Sequence, residues 1–165
     1  MTAALRQANT PADIALARAL FVEYAQWLNV DLCFQGFAQE LATLPGAYAP
    51  PAGRLFLAGE PGSAFGCIAL RPLEMRDDPR TGPQAVIGEV KRLYVQPAHR
   101  HGGRGYRLAA TLLAEARAIG YRELKLDTLD WMTAARALYA RLGFGECAAY
   151  YPNPLPGVVY MACTL

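Results

Sequence analysis

The sequence predicts a single α/β domain of the α+β type, with a mostly antiparallel sheet that opens into one parallel pair and is flanked by about four helices. Three observations predict it. The chain has 165 residues, which suits one domain with a sizeable core. Its composition is 53% hydrophobic against 18% charged, which excludes disorder. The periodicities run helix, helix, strands, then strand, helix, strand, helix, strand, and a helix crossing between two strands is the connection that parallel pairing requires.

Thr10-Pro11-Ala12-Asp13 supplies a hydroxyl cap, a proline at the first helical position and an acid in the first turn. Ile14, Ala17, Leu20, Phe21, Tyr24 and Leu28 then form a helical stripe. A short second helix is expected over Phe34–Leu44, closed by Pro45-Gly46, and the Pro- and Gly-rich Ala47–Gly53 reads as a loop. Arg54–Ala58 and Ser63–Leu73 read as a hairpin about Glu60-Pro61-Gly62. Glu74–Gln84 is polar, carries Pro79, Gly82 and Pro83, and reads as an exposed excursion. A strand over Ala85–Val95 stops at Pro97. Leu108, Leu112, Ala116 and Ile119 then recur at helical spacing up to Gly120. Glu123–Thr128 reads as a strand, Thr133–Leu142 as a helix ending at Gly143, and Val158–Thr164 as the last strand.

A net charge of +2 gives no global pull toward nucleic acid or membrane, and neither is expected as a partner. Cys33, Cys67, Cys147 and Cys163 form no paired motif, and both histidines sit beside one turn, so no metal site is expected. The N-terminus lacks the pattern of a signal peptide, and no apolar run reaches membrane-spanning length. A soluble, reduced, cytoplasmic protein is the expectation.

The basic residues cluster at Arg100, His101, Arg104 and Arg107, around Gly102, Gly103 and Gly105. A glycine-rich turn between a strand and a helix presents main-chain N–H groups and a positive helix end to an anion. Arg100 and Arg104 add forked donors. The turn lacks the Gly-Lys-Ser/Thr of a Walker loop and the third glycine of the dinucleotide fingerprint. These residues by themselves indicate a phosphate-bearing ligand.

From Leu93-Tyr94-Val95-Gln96-Pro97 through Arg100-His101-Gly102-Gly103-Arg104-Gly105, with Leu108 and Leu112 following, the chain resembles the GCN5-related N-acetyltransferases (GNAT), in particular a subgroup of small bacterial members. The second family block is present as Ala135, Leu138, Tyr139, Leu142, Gly143 and Phe144. The resemblance implies acetyl-CoA as co-substrate, with its pyrophosphate on the amides of His101 to Tyr106 and Arg100 at the entrance. It implies a pantetheine arm paired with the main chain of Leu93, Tyr94 and Val95. It places Tyr139 as proton donor to the leaving thiolate and Glu89 as general base; Glu89 can equally orient the substrate or pair with Lys91 or Arg92. Strand alternation puts Glu89 on the same side as Lys91, Leu93 and Val95. Three positions depart from the family pattern: His101 stands where glycine is common, Arg104 where an aliphatic residue is usual, and Met132 where many members carry asparagine.

The resemblance implies an N-acetyltransferase acting by direct attack in a ternary complex, on a primary amine of a small molecule or amino acid. Acetylation of a protein or peptide amine, or a non-catalytic acetyl-CoA sensor, are the alternatives, and a homodimer is left open. Tyr24, Phe34, Lys91 and Tyr151 are the candidate acceptor contacts. Lys91 and Arg92 hint at an anionic acceptor, and Tyr150–Gly157, with three prolines, reads either as a lid or as a hairpin connection.

Overall fold

The computed structural model describes residues 4–165, the side chain of Asp78 excepted. Seven strands form one sheet in the order β1-β2-β3-β4-β5-β7-β6. They span Leu5–Gln7 (β1), Arg54–Ala58 (β2), Gly66–Asp78 (β3), Gly82–Val95 (β4), Glu123–Leu129 (β5), Gly145–Glu146 (β6) and Val158–Thr164 (β7). Four α-helices flank them: Pro11–Leu28 (α1), Phe37–Thr43 (α2), Arg104–Ile119 (α3) and Thr133–Arg141 (α4). Every strand pairing is antiparallel except β4 with β5.

Alternation along the strands builds two cores. Leu55, Leu57, Cys67 and Ala69 face α1, where Ala17, Leu20 and Phe21 meet them. Phe56, Ile68, Leu70, Leu124 and Leu126 face α3, against Leu108, Leu112 and Ala116. The start of α1 is fixed by a capping box, in which the Thr10 hydroxyl accepts from the Asp13 amide and the Asp13 carboxylate accepts from that of Thr10. Its C-terminal half is tied to β4, because Glu23 accepts from the Tyr94 hydroxyl at 3.0 Å and from Gln96 Nε2 at 2.9 Å.

The fold class matches the expectation, with local corrections. Glu74–Gln84 is no excursion: β3 and β4 run on to Asp78 and Gly82, and Met75 pairs with Ala85. Inter-strand hydrogen bonding holds this ribbon out as strand despite its polar composition, with Met75 47% exposed. The second helix is broken at Gly36 (φ +68°) into a 3-10 turn over Cys33–Gln35 and α2. The short β1 and β6 carry too few residues to register as periodic segments. Among the described residues no helix is long and apolar enough to cross a membrane, and no group of three or more His, Cys, Asp or Glu could hold a metal.

Candidate functional site

The site begins where the two central strands part. β4 pairs with β5 only over Ile87–Glu89 against Glu123–Lys125. Beyond that, β4 stays with β3 as far as Val95, while β5 stays with β7 as far as Leu129. The β5-facing main chain of β4 from Val90 onward therefore has no strand beside it. Gly88 sits at the middle of this short pairing, where a Cβ would lie 2.7 Å from Leu124 and 2.9 Å from Leu70. A bulge then breaks the alternation, because Arg92 adopts φ +60° and the register slips between Cys67 and Ala69. Glu89 and Lys91 stay on the α1 and α2 side, whereas Leu93 and Val95 turn to the α3 core. The same-side expectation for those four residues fails at this bulge.

The chain next makes the glycine turn. Gly102 and Gly103 hold φ +74° and +71°, a conformation open to glycine at little cost. The first helical bond of α3 runs from the Arg107 N–H to the Gly103 carbonyl, so the amides of Gly103, Arg104, Gly105 and Tyr106 have no partner within the helix. Arg100 leans over the turn with its Nε donating to the Val95 carbonyl at 2.9 Å and its guanidinium 4.4 Å from the Trp27 ring centre. Arg104 faces away: it donates to the His99 carbonyl and lies over Phe65, on which His99 stacks.

An apolar cleft of about 360 Å³ runs from this turn into the splay. Of the residues expected to bind cofactor, Leu93, Tyr94, Val95, Arg100, Gly103, Gly105 and Tyr106 line it. The side chains of His101 and Arg104 and the exposed Gly102 do not, although Gly102 and Arg104 belong to the turn's main chain. Sequence reasoning missed Trp27 as a cleft wall, and also the α4 face formed by Ala134, Ala135, Ala137, Leu138 and Arg141. The run of alanines in α4 is the signal for the latter, since small side chains let a ligand approach the helix.

On the other side of the splay is a smaller chamber of about 50 Å³. Leu93, Met132 and Ala135 line both spaces, so the two meet there. The chamber also contains Tyr24, Lys91, Asp127, Gln35 and Tyr139. The segment after β6 covers it and is held by side chains. Tyr150 donates to Glu89 Oε1 at 3.1 Å, Tyr151 to Asp127 Oδ2 at 2.5 Å, and Asn153 Nδ2 to Asp127 Oδ2 at 2.9 Å. Tyr150, Tyr151 and Tyr160 pack edge to face or tilted.

Tyr24 and Lys91 thus fall at the chamber as expected, and Tyr151 forms part of its cover. Phe34 does not reach it: it is exposed and lines neither cavity, while Phe37 packs 5.2 Å from the Arg92 guanidinium. The charges are balanced in place. Glu89 is 1% exposed and receives Arg71 at 2.8 Å and Lys91 at 3.4 Å. Lys91 also reaches Asp127, and Arg92 is clamped by both oxygens of Glu40, which also accepts from the Tyr48 hydroxyl. Lys91 and Arg92 are therefore neutralised by the protein, which removes the reason to expect an anionic acceptor.

The acetyltransferase (GNAT) family model matches residues 19–144. The chain belongs to that family. An N-acetyltransferase of Schizosaccharomyces pombe, itself uncharacterized, is 38% identical over 152 residues, covering 92% of this chain and 88% of that protein. Among solved structures, an acetyltransferase from Streptococcus agalactiae superposes with a TM-score of 0.73 at 19% identity, covering 100% of this chain and 99% of that one. A GNAT family acetyltransferase from Elizabethkingia anophelis with acetyl-CoA bound gives 0.63 at 20% identity, covering 99% of each chain. The two structures share the fold.

Within this acetyltransferase two groups that line the chamber are tuned in opposite directions. Burial, with smaller contributions from Tyr24 and Asp127, raises the Tyr139 phenol well above its ordinary 10. Burial also works to raise Asp127, but the Lys91 ammonium and the hydrogen bonds from Tyr151, Lys91 and Asn153 outweigh it and hold the carboxyl below its ordinary 3.8. Tyr24 is pushed up to about 12 by burial. At neutral pH the chamber therefore presents two protonated phenols and one ionised carboxylate.

Proposed function

We propose that this enzyme transfers the acetyl group of acetyl-CoA to the primary amine of a small molecule, by direct attack where the cleft and the chamber meet. The observation that carries the proposal is the joining of those two spaces at Leu93, Met132 and Ala135. The larger space suits a narrow, mostly apolar arm ending at a phosphate-binding turn; the smaller suits an amine beside Asp127. The turn, the unpaired edge of β4 and the small side chains of α4 fit acetyl-CoA, whose part is to supply a thioester.

In this assignment the amides of Gly103, Arg104, Gly105 and Tyr106, with those of His101 and Gly102 before them, hold the pyrophosphate, and Arg100 closes the entrance. The free edge of β4 at Leu93, Tyr94 and Val95 orients the arm, and its N–H groups face the carbonyl oxygen on which charge develops. Asp127, already paired with Lys91 and held by Tyr151 and Asn153, orders the chamber wall beside the acceptor. Its lowered pKa makes it a weak base, so the acceptor's ammonium loses one proton to water before the nitrogen–carbon bond forms; the second proton of the attacking nitrogen goes to the departing sulfur as the carbon–sulfur bond breaks, leaving the amide and the free thiol. Glu89, saturated by Arg71, Lys91 and Tyr150, positions Lys91 and the covering segment rather than receiving that proton. Tyr139 donates a hydrogen bond to the departing sulfur. Full proton transfer would be uphill, because even an unshifted phenol at about 10 holds its proton more tightly than a thiol at about 8.5. Burial steepens the difference.

The small size of the chamber and its cover support a small acceptor over a peptide, which needs an open groove. Thiol release from acetyl-CoA against a panel of primary amines, amino acids and short peptides tests the proposal. Release with small amines is the expected result; tight acetyl-CoA binding with no release for any acceptor would replace it with a sensor role.

A further inference from the structure

One buried atom in the chamber has nothing to hold. Among the described residues, Gln35 Oε1 is closed off from solvent and has no hydrogen-bond partner, an unfavourable state for a carbonyl oxygen. Its neighbours fix which amide atom is left over. The Tyr151 hydroxyl lies 2.5 Å from Asp127 Oδ2 and spends its single proton there, since two unprotonated oxygens would repel at that distance. Its oxygen can then only accept, and it does so from Asn153 Nδ2 at 3.0 Å and from Gln35 Nε2 at 3.1 Å. Gln35 must therefore turn its NH₂ to Tyr151, which leaves Oε1 as a free acceptor.

Its location gives that acceptor a use. Gln35 lines the chamber and also a groove of about 290 Å³ against α2 and the turn over Gly46–Tyr48. No other residue is common to the two linings, so Gln35 is the wall that the two spaces share. The groove's lining is mixed, and Gln39, Thr43 and Arg71 supply polar groups on its walls, Arg71 being 37% exposed. The chamber holds little more than one or two waters' volume at about 30 Å³ each.

Resting on the acetyl-transfer reading above, we propose that Gln35 Oε1 is the hydrogen-bond acceptor that fixes the attacking amine. The remainder of the acceptor lies in the Gln39–Arg71 groove. The substrate class follows from the shapes: an amine on an unbranched carbon, joined to a body that carries hydrogen-bonding groups. An N–H of the amine supplies the donor that Oε1 lacks, and holding it there leaves the nitrogen lone pair free to face the cavity junction.

One variant tests this with n-propylamine, isopropylamine and ethanolamine as probes: Gln35→Met keeps the length and bulk but has no oxygen. The expected result is that it raises KM for n-propylamine and ethanolamine about ten- to hundredfold. Acetyl-CoA affinity should stay unchanged, and isopropylamine should be a poor substrate of both enzymes. An unchanged KM for the amines, or an equal loss of acetyl-CoA affinity, would overturn the anchor. Should wild type release no thiol with any amine, the transfer reading falls by itself, and the anchor is still read by NMR. The Gln35 side-chain NH₂ signals, assigned by their loss in Gln35→Met, should move on addition of n-propylammonium chloride and not of potassium chloride. Signals that stay in place refute it.

Discussion

The two halves of the site are built from different materials. The cleft between β4, α3 and α4 is open and apolar, and its shape comes from the main chain: positive-φ glycines, an unpaired strand edge, alanines on one helix face. The chamber beyond the splay is smaller and ionic, and its walls are side chains of α1, β4, β5, α4 and the segment before β7, braced by ion pairs to β3 and α2. A main-chain site suits a ligand that never varies. A site made of side chains suits one that differs between relatives, because single substitutions reshape it without disturbing the strands beneath.

If this division is right, damage to one half should leave the other intact. The largest effect is expected from Glu89→Ala, which strips the carboxylate from Arg71, Lys91 and Tyr150 together. Leaving a buried ammonium with one partner fewer should cost about 3 kcal/mol of stability, measured by urea unfolding. Acetyl-CoA should still bind the folded fraction with near wild-type affinity. Equal loss of cofactor affinity would mean that the ionic half supports the cleft, and the two would be one unit.

Gly103→Val probes the converse. Nothing within 4 Å would clash with the new Cβ, so the penalty lies in the backbone, where a β-branched residue is strained at φ +71°. Movement of the turn should weaken acetyl-CoA binding about ten- to hundredfold by calorimetry, for a strain of about 1–3 kcal/mol. The covering segment should be unaltered by hydrogen exchange. Wild-type affinity would remove the turn from the binding site.

The same division explains what the sequence could reveal. Gly102, Gly103 and Gly105 lie within four positions, and their chemistry is local, so strand, turn and helix could be read from neighbouring residues. Glu89 and Tyr151 could be named from the resemblance, but Asp127 and Asn153, which meet Tyr151 only after the chain has folded, belong to no motif at fixed spacing. The bulge at Arg92 was hidden for a related reason. A non-glycine residue at positive φ carries no local signal, and here its pairing with Glu40 across to α2 accompanies it. Arg104 shows the limit of proximity in sequence: it adjoins the turn, yet Phe65 and the His99 carbonyl draw its guanidinium elsewhere.

Tyr139 stands at the boundary and should show a smaller, cleaner effect. It packs edge to face on Phe144 at 5.6 Å, so Tyr139→Phe keeps the packing and removes only the hydroxyl. A lost hydrogen bond to the departing sulfur should lower kcat about tenfold, with KM for acetyl-CoA unchanged. A parallel rise in KM would assign the hydroxyl to binding instead.

Acidification offers the mildest way to separate the halves. Asp127 and Glu40 both belong to the ionic half, and both have folded-state pKa values below their ordinary 3.8 and 4.5. A depressed carboxylate contributes stability that is fully present above its unfolded value and is lost as pH falls through the folded one. Stability should therefore be flat from neutral pH to about 5 and decline below 4, as Asp127 releases Tyr151, Asn153 and Lys91 and Glu40 releases Arg92. The alkaline side has the opposite sign. Tyr24, raised to about 12, contributes stability below 10 that disappears as pH climbs toward that value. NMR at pH 3.5 should show the Tyr151 ring and Asn153 side-chain NH₂ signals shifting before the amides of Leu108–Leu113 of α3, whose contacts are apolar, lose their exchange protection. Simultaneous changes would show that the ionic network and the apolar core unfold as one cooperative unit, and that the division between the halves is chemical rather than energetic.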